Sequence, residues 1–505
     1  IFRGGFGQRD PGHGRDGQSV VQKEEQQQRQ HRGGFGGGRG GWQDAPGRDG
    51  NATAKNPAQK EPRSRFRSQQ ARGGWGGGPS WRDKPARSRL SSVDVKPDWI
   101  HLDGTEGTED FTMSLPQMEK LKVEDTPREE TLAFVGSLFS TQKDIDRATV
   151  KNAIPLKKLQ SRQREPKPFH LAIMEDPIIK KLSSEGKGSV FTTDIALAVL
   201  MAAPRSVASW DIVVQRVGPS LFLDVRDGSS LYDNIVSETA QDAPEDESKD
   251  QNNMNSMTAL NSEAGYINYC YSQQCIDRSS APNSVKEGDK TLTDAWAQRT
   301  QDPPTPAGKA FRYRRFELDD DLFLVVRCEL DASLETKDGS QAYITTKALN
   351  EFDPAISGVN WRQKLESQRA AVLANELKNN RNKLARWTCQ AMLAGADYLK
   401  MGYVSRNHSK DNVHHFVLGT ILYRPADFAT QIDLKPENMW GIATAVVKKL
   451  MTLPIEGDSK YLLLKDPNNP QVSIYKVPAD SFDYEEHEEE TGEVENDDDD
   501  SDFEY

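Results

Sequence analysis

The chain has 505 residues, 35% hydrophobic and 28% charged, a balance that suits one sizeable core diluted by segments that cannot fold. No window approaches the apolar run that a membrane span requires, which argues against a membrane protein. Cys270, Cys275, Cys328 and Cys389 form no C-x-x-C pair and accompany no histidine cluster, so a zinc module is set aside and buried free thiols in a reducing compartment are expected. The net charge of −12 by itself argues against nucleic acid, but its distribution does not. Residues 1–90 hold 14 Arg and 4 Lys against 8 acids, whereas residues 483–505 hold 14 acids and no Lys or Arg. Such a polarised chain attracts phosphates at one end and repels them at the other. The opening Ile1, in place of Met, suggests a trimmed start.

Residues 1–90 are low in complexity. Twenty of the 38 glycines lie there, and Arg-Gly-Gly recurs at Arg3, Arg32, Arg39 and Arg72 among Phe2, Phe6, Phe35, Trp42, Phe66, Trp75 and Trp81. So much glycine cannot offset its chain entropy with a core, and disorder is expected. Guanidinium planes pair with phosphates and aromatic rings stack on unpaired bases, so this arm suits RNA with little sequence preference; an inert linker is the plainer alternative. Residues 91–165 read as a partly ordered lead-in that docks on the main domain or on a partner, with helical potential at 115–123 and 143–153.

From 166 to 478 the pattern is globular. Thr192 and Thr193 are expected to cap a helix through Asp194, Ile195, Leu197, Leu200 and Met201 that stops at Pro204. A hairpin follows, with strands at 211–217 and 221–226 about a Gly218-Pro219 turn. The acidic stretch 240–263 reads as a long exposed loop, and 279–308 as a second exposed insertion. Strands are expected at 311–318, 322–330 and 342–346, strand character at 371–378, and a helix at 383–399. A strand at 413–420, a helix at 437–452 and a terminal strand pair at 461–465 and 472–477 complete the set. Without a regular βαβ rhythm, this predicts an α+β, mixed-sheet architecture.

The most informative segment is 321–331. On a strand Leu322, Leu324, Val326, Cys328 and Leu330 share one face, and Phe323, Val325, Arg327, Glu329 and Asp331 the other. Glu376 and Lys378, with Leu377 turned away, are expected to join them. Three carboxylates and a lysine can hold Mg²⁺ for phosphodiester chemistry; a structural ion-pair network at a strand end is the alternative, and the commoner one.

Two resemblances narrow the choice. Glu329-Leu330-Asp331 with Glu376-Leu377-Lys378, and Trp387-Thr388-Cys389-Gln390 downstream, resemble the acidic and glutamine-bearing motifs of the DXO-type decapping exonuclease family. In Gly265-Tyr266-Ile267-Asn268-Tyr269, however, Tyr269 stands where that family has a catalytic glutamate, which counts against hydrolysis. A closer resemblance, from about Ser91 to the acidic end, is to the family of cap-binding d subunits of eukaryotic translation initiation factor 3. It is carried by Val359-Asn360-Trp361-Arg362-Gln363-Lys364-Leu365, Gly402-Tyr403-Val404-Ser405-Arg406, Lys465-Asp466-Pro467-Asn468 and the strings at 209–218, 311–315 and 376–380.

That resemblance implies a decapping-nuclease-like cap-binding domain (166–478) flanked by disordered tails, cytoplasmic and non-catalytic, with no cofactor. Its implied partners are other subunits of the factor, capped mRNA and the small ribosomal subunit. The implied pocket comprises Asp194, Val207, Ala208, Gly265, Asn268 and Tyr269 under an acidic gate at 236–264. Ala208 and Tyr269 stand where the family often has an aromatic and a histidine. A methylated guanine is cationic and favours a carboxylate with aromatic faces, here Asp194 with Tyr266, Tyr269 or Trp210. Arg205, Arg216, Arg327, Lys378, Arg312, Arg314 and Arg315 are candidate phosphate grips, and Glu329, Asp331, Glu376 and Gln390 complete the expected site. In the disordered tail, 479–505, Ser501 with its following acids fits an acidophilic kinase. The alternatives are an Mg²⁺-dependent decapping or 5′-end nuclease and a scaffold subunit with a vestigial pocket.

Overall fold

The computed structural model describes residues 89–104, 110–157, 171–226, 235–244, 253–299, 308–455 and 457–482. The arm 1–88 and the tail from 483 onward, with Ser501, lie outside the described residues.

In chain order, β1 (Ile100–His101), β2 (Met113–Ser114), α1 (Leu115–Met118), β3 (Arg128–Leu138) and β4 (Ile154–Pro155) come from the expected lead-in. There follow α2 (Pro177–Ser184), β5 (Val190–Thr193), α3 (Asp194–Met201), β6 (Trp210–Val217), β7 (Ser220–Asp224) and α4 (Met257–Gln274). Next are β8 (Asn283–Gly288), α5 (Lys290–Ala297), β9 (Ala310–Asp319), β10 (Leu322–Leu330), β11 (Ala332–Glu335) and β12 (Gln341–Glu351). Helices α6 (Pro354–Ser357), α7 (Trp361–Lys364), α8 (Arg369–Asn379) and α9 (Arg381–Leu393) precede β13 (Tyr398–Arg406) and β14 (His415–Tyr423). Helices α10 (Pro425–Gln431) and α11 (Pro436–Met451), then β15 (Ser459–Lys465) and β16 (Gln471–Val477), close the described fold.

Two mixed sheets result, the α+β architecture that the sequence predicts. The larger has eleven strands in the order β1-β16-β15-β6-β7-β5-β10-β9-β3-β8, with β2 also on β16. The smaller runs β11-β12-β13-β14-β4. Strand β5 is parallel to both its neighbours, and β12 to β13; the other pairs are antiparallel. The lead-in is therefore woven into both sheets, β3 lying between β9 and β8.

Helices α3 and α9 pack on each other, and α9 also touches β10 of one sheet and β12 and β13 of the other. Apolar on all sides, α3 is buried almost throughout, as a helix enclosed by protein must be. Thr193 caps it, its Oγ1 accepting the Ala196 N–H at 3.2 Å. On β10 the expected alternation holds: Leu324, Val326, Cys328 and Leu330 join the main core, while Val325 enters a second core beneath α2 and α5.

Several segments differ from expectation: 143–153 holds only a single 3-10 turn at Ile145–Arg147, and the helix expected to reach 399 stops at Leu393, with β13 beginning at Tyr398. The stretch 371–378 is helical, within α8, whose buried Val372, Glu376 and Asn379 follow the helical period. The insertion 279–308 contains β8 and α5, whose polar composition suits a sheet edge. The acidic loop ends early, because α4 begins at Met257, capped by Ser256.

Candidate functional site

The first part of the site forms where β5 passes into α3. Parallel pairing sets Thr193 beside Arg327 and so brings the start of α3 to the end of β10. There Asp194, 3% exposed, accepts the Glu329 N–H on Oδ2 at 2.9 Å. A small cavity opens beside them, lined by Thr193, Asp194, Asp224, Val225, Arg327 and Glu329. The Arg327 guanidinium is anchored away from solvent by Asp176 at 3.0 Å and by the Leu171 carbonyl at 2.6 Å.

Antiparallel pairing of β9 with β10 places Phe311 opposite Glu329, so Lys309 reaches both acids of the strand end. Its Nζ lies 2.5 Å from Glu329 and 3.3 Å from Asp331. Burial would lower the lysine pKa, but the two carboxylates outweigh it and hold the ammonium above its ordinary value. Asp331 also accepts from the Thr346 N–H at 2.7 Å, tying the two sheets together.

The second part lies past the other end of α3. Glu238, 2% exposed, accepts the N–H groups of Val207 and Ala208 on Oε1 at 2.7 and 2.8 Å, and Asn382 Nδ2 on Oε2 at 3.1 Å. Lys465 donates to the Val207 carbonyl at 2.7 Å. Burial lowers that lysine to about 8, against the opposing pull of Glu238. An eight-residue helix spans about 12 Å, so α3 holds Asp194 apart from Val207 and Ala208, which the sequence reading put in one pocket.

The second acidic motif goes elsewhere. Glu376, 3% exposed on α8, accepts from Asn380 Nδ2 at 2.8 Å; burial raises it to about 7, with nearby Glu351 adding to the shift. It does not join Glu329 and Asp331: among the described residues no group of three His, Cys, Asp or Glu is placed to hold a metal. The lysine expected beside the acids, Lys378, is on α8 and its carbonyl accepts from Thr239, while Lys309 takes its place. Gln390 is buried on α9.

Gly265, Asn268 and Tyr269 are all on α4. Asn268 clasps β12, donating to the Ala348 carbonyl at 3.3 Å and accepting the Ala348 N–H at 2.9 Å. Several expected phosphate grips are structural instead. Arg216, 2% exposed, donates to the Leu450 and Met451 carbonyls at the end of α11. Arg312 and Arg314 donate to carbonyls 392–395 at the end of α9, where cations offset the helix dipole. Arg205 is tied to the Ile432 and Asp433 carbonyls, and Trp210 is in the core, its Nε1 donating to Ser206.

Lys309 and Glu238 went unnoticed in the sequence. Counting the β9–β10 register outward from its turn would set Ala310 opposite Asp331; the bulge between Leu322 and Phe323 shifts the pairing by one and brings Lys309 there, so plain counting misses it. Nothing local separates Glu238 from the other acids near it.

Fold and site thus define a mixed-sheet α+β protein with two carboxylate-centred polar sites at the ends of a buried helix; among the described residues no helix is long and apolar enough to cross a membrane. The chain belongs to the family described as Eukaryotic translation initiation factor 3 subunit 7 (eIF-3), whose model matches residues 8–476, and is thereby a translation initiation factor subunit. It is 45% identical over 400 residues to the D subunit of eukaryotic translation initiation factor 3 from Arabidopsis thaliana, covering 79% of this chain and 63% of that one. To the human D subunit it is 43% identical over 408 residues, 80% of this chain and 69% of the other. Among solved structures, Rai1 of Candida albicans in complex with pU5-Mn2+ aligns over 74% of this chain and 95% of its own, at 14% identity and a TM-score of 0.43. Rai1 of Scheffersomyces stipitis, with (3′-NADP)+ and calcium, aligns over 74% and 94%, at 12% identity and a TM-score of 0.44.

Proposed function

We propose that this initiation-factor subunit binds the 5′ cap of mRNA without cleaving it, and so supports recruitment of mRNA to the small ribosomal subunit within the multisubunit factor. The observation that carries the reading is the cavity at the start of α3, where Asp194, Asp224 and Glu329 gather around a small recess. A methylated guanine carries positive charge and an N–H edge, and carboxylates answer both. The basic arm 1–90 adds contacts with the RNA that follows the cap, and the acidic tail 479–505 competes for the same basic surfaces.

The non-hydrolytic part of the proposal is supported by Lys309. Its ammonium lies between Glu329 and Asp331, the two acids that metal-assisted hydrolysis would need to bind a divalent cation. Glu376 is engaged with Asn380 on a different element, and Tyr269 brings no carboxylate.

RNA labelled in its methylated cap, incubated with the protein and Mg²⁺, tests both parts. Cross-linking that free cap analogue abolishes, without released label, is the expected result. Released label that disappears in Glu329→Gln would establish a nuclease instead. No cross-link and no release would leave a scaffold subunit.

A further inference from the structure

We infer that Lys96 is an acceptor for a ubiquitin-like modifier, conjugated by an enzyme that reads the exposed string Val95-Lys96-Pro97-Asp98. The inference stands apart from the reading of the chain as a cap binder, since it uses a loop of the lead-in and neither carboxylate-centred site.

One class of ubiquitin-like modifier is attached within a short signature: a large apolar residue, the lysine, any residue, then an acid. Each position has a physical task. The apolar side chain fills a small pocket on the conjugating enzyme, the carboxylate pairs with basic groups there, and the lysine between them meets the thioester. The signature occurs three times among the described residues, at Val95-Lys96-Pro97-Asp98, Leu121-Lys122-Val123-Glu124 and Leu434-Lys435-Pro436-Glu437. Spelling does not rank the three, but the fold does.

Leu434 belongs to the main core, 6% exposed, and the rest of its string runs into the start of α11. Leu121 packs against the same core. Its carbonyl accepts from Asn438 Nδ2 at 2.7 Å, and the neighbouring Val123 N–H donates to the Glu437 carbonyl at 3.0 Å. In both strings the side chain that an enzyme must grip is already held by the protein.

Val95 is different. It is 47% exposed, and Asp94, Lys96, Pro97 and Asp98 are exposed with it. The loop is fastened only at its ends. Val93 and Trp99 pack into a satellite core with Leu462, Leu464 and Val477, and the Ser92 and Ser209 hydroxyls are bonded at 3.1 Å. Across the string itself runs one turn bond, from the Trp99 N–H to the Lys96 carbonyl at 3.2 Å. A single exposed bond of that kind costs little to exchange for another, so an enzyme's cleft can draw the string straight while its anchors stay seated.

In the transfer, the Lys96 ammonium gives one proton to solvent and the free amine attacks the thioester carbonyl of the enzyme-bound modifier. A C–N bond forms, the C–S bond breaks, and the enzyme's cysteine leaves, taking up the second proton that the nitrogen loses. Lys96 exchanges its charge for an isopeptide-linked domain.

The test incubates the full chain with purified small ubiquitin-like modifier, its activating and conjugating enzymes and ATP. One adduct, mapped to Lys96 by mass spectrometry, is expected. Lys96→Arg should abolish it, whereas Lys122→Arg and Lys435→Arg should form it at the parent rate. Val95→Ser and Asp98→Asn, both at exposed positions, should each slow it about tenfold. An adduct that maps to Lys122 or Lys435, or that survives Lys96→Arg, overturns the inference. So does an unmodified parent when a control substrate in the same tube is consumed. The parent rate in either Val95→Ser or Asp98→Asn also overturns it, because the lysine would then be reached without its string being read.

Discussion

Glu329 and Glu376 open two motifs of nearly the same spelling, and the fold treats them oppositely. Glu329, at the end of β10, is partly open to water and answered by Lys309. Glu376 is buried on α8 with an asparagine as its bonded partner and another acid, Glu351, nearby. The first carboxylate is neutralised by a neighbouring ion; the second approaches neutrality by retaining its proton up to about pH 7. Charge on a motif residue thus follows from what the register delivers to it, and not from the motif.

A third carboxylate supplies the largest contrast. Glu263 on α4 is also buried but is fully answered, by Arg406 at 2.5 Å and His415 at 2.7 Å. Burial alone would raise it, and these two partners bring it below its usual range. Replacing Arg406 with Met should leave that acid unanswered and cost about 3–5 kcal/mol in chemical denaturation. A loss under about 1 kcal/mol would mean that burial, not compensation, separates these acids.

Glu376→Gln should do the reverse. Between the ordinary glutamate pKa and about 7 the unfolded chain releases a proton that the folded chain retains, so this group makes the parent lose stability as pH rises through that window. The glutamine variant escapes the penalty. It should gain up to about 3 kcal/mol over the parent at about pH 8 and almost nothing at about pH 4.5, read from unfolding midpoints at the two pH values. Equal gains at both would remove the titration from the comparison.

Lys309→Met sharpens the other side. With both carboxylates partly exposed, the destabilisation should be about 2 kcal/mol, below the fully buried case. Millimolar Mn²⁺ should recover part of it in the variant and none in the parent, because only the variant leaves an oxygen pair for a hard cation. Asp331→Asn should have the smallest effect, about 1 kcal/mol, since the amide still accepts the Thr346 N–H through its oxygen.

Where alternation or capping is strong, the sequence and the fold agree: β10 keeps its two faces, α3 begins at its threonine cap, and the final strand pair lies where it is expected. The failures share a cause. In 371–378 the apolar residues do not distinguish a strand from a helix, and the decisive buried positions of α8 include Glu376 and, just beyond the stretch, Asn379, which a hydrophobic pattern passes over. Strand β8 is polar because it lies on a sheet edge, where no alternation is imposed. The site failed in a related way. Asp194 and Glu329 are joined by parallel pairing across 135 residues, a contact that local pattern cannot register. Arg216, Arg312 and Arg314 look like RNA ligands because arginine also serves helix ends, and spelling does not tell the two uses apart.

Gly402, on β13, lies beneath the ring of Tyr271, and a methyl group built there would come within 2.5 Å of the ring carbons. The seating depth of α4 is therefore a matter of tolerance, fixed by one missing carbon. An alanine would act as a shim under that helix, prising Asn268 off Ala348 and tilting Tyr269 with it. The placement of Gly265 and Tyr269 is thus machined from another element, by a residue that neither of them follows in the chain.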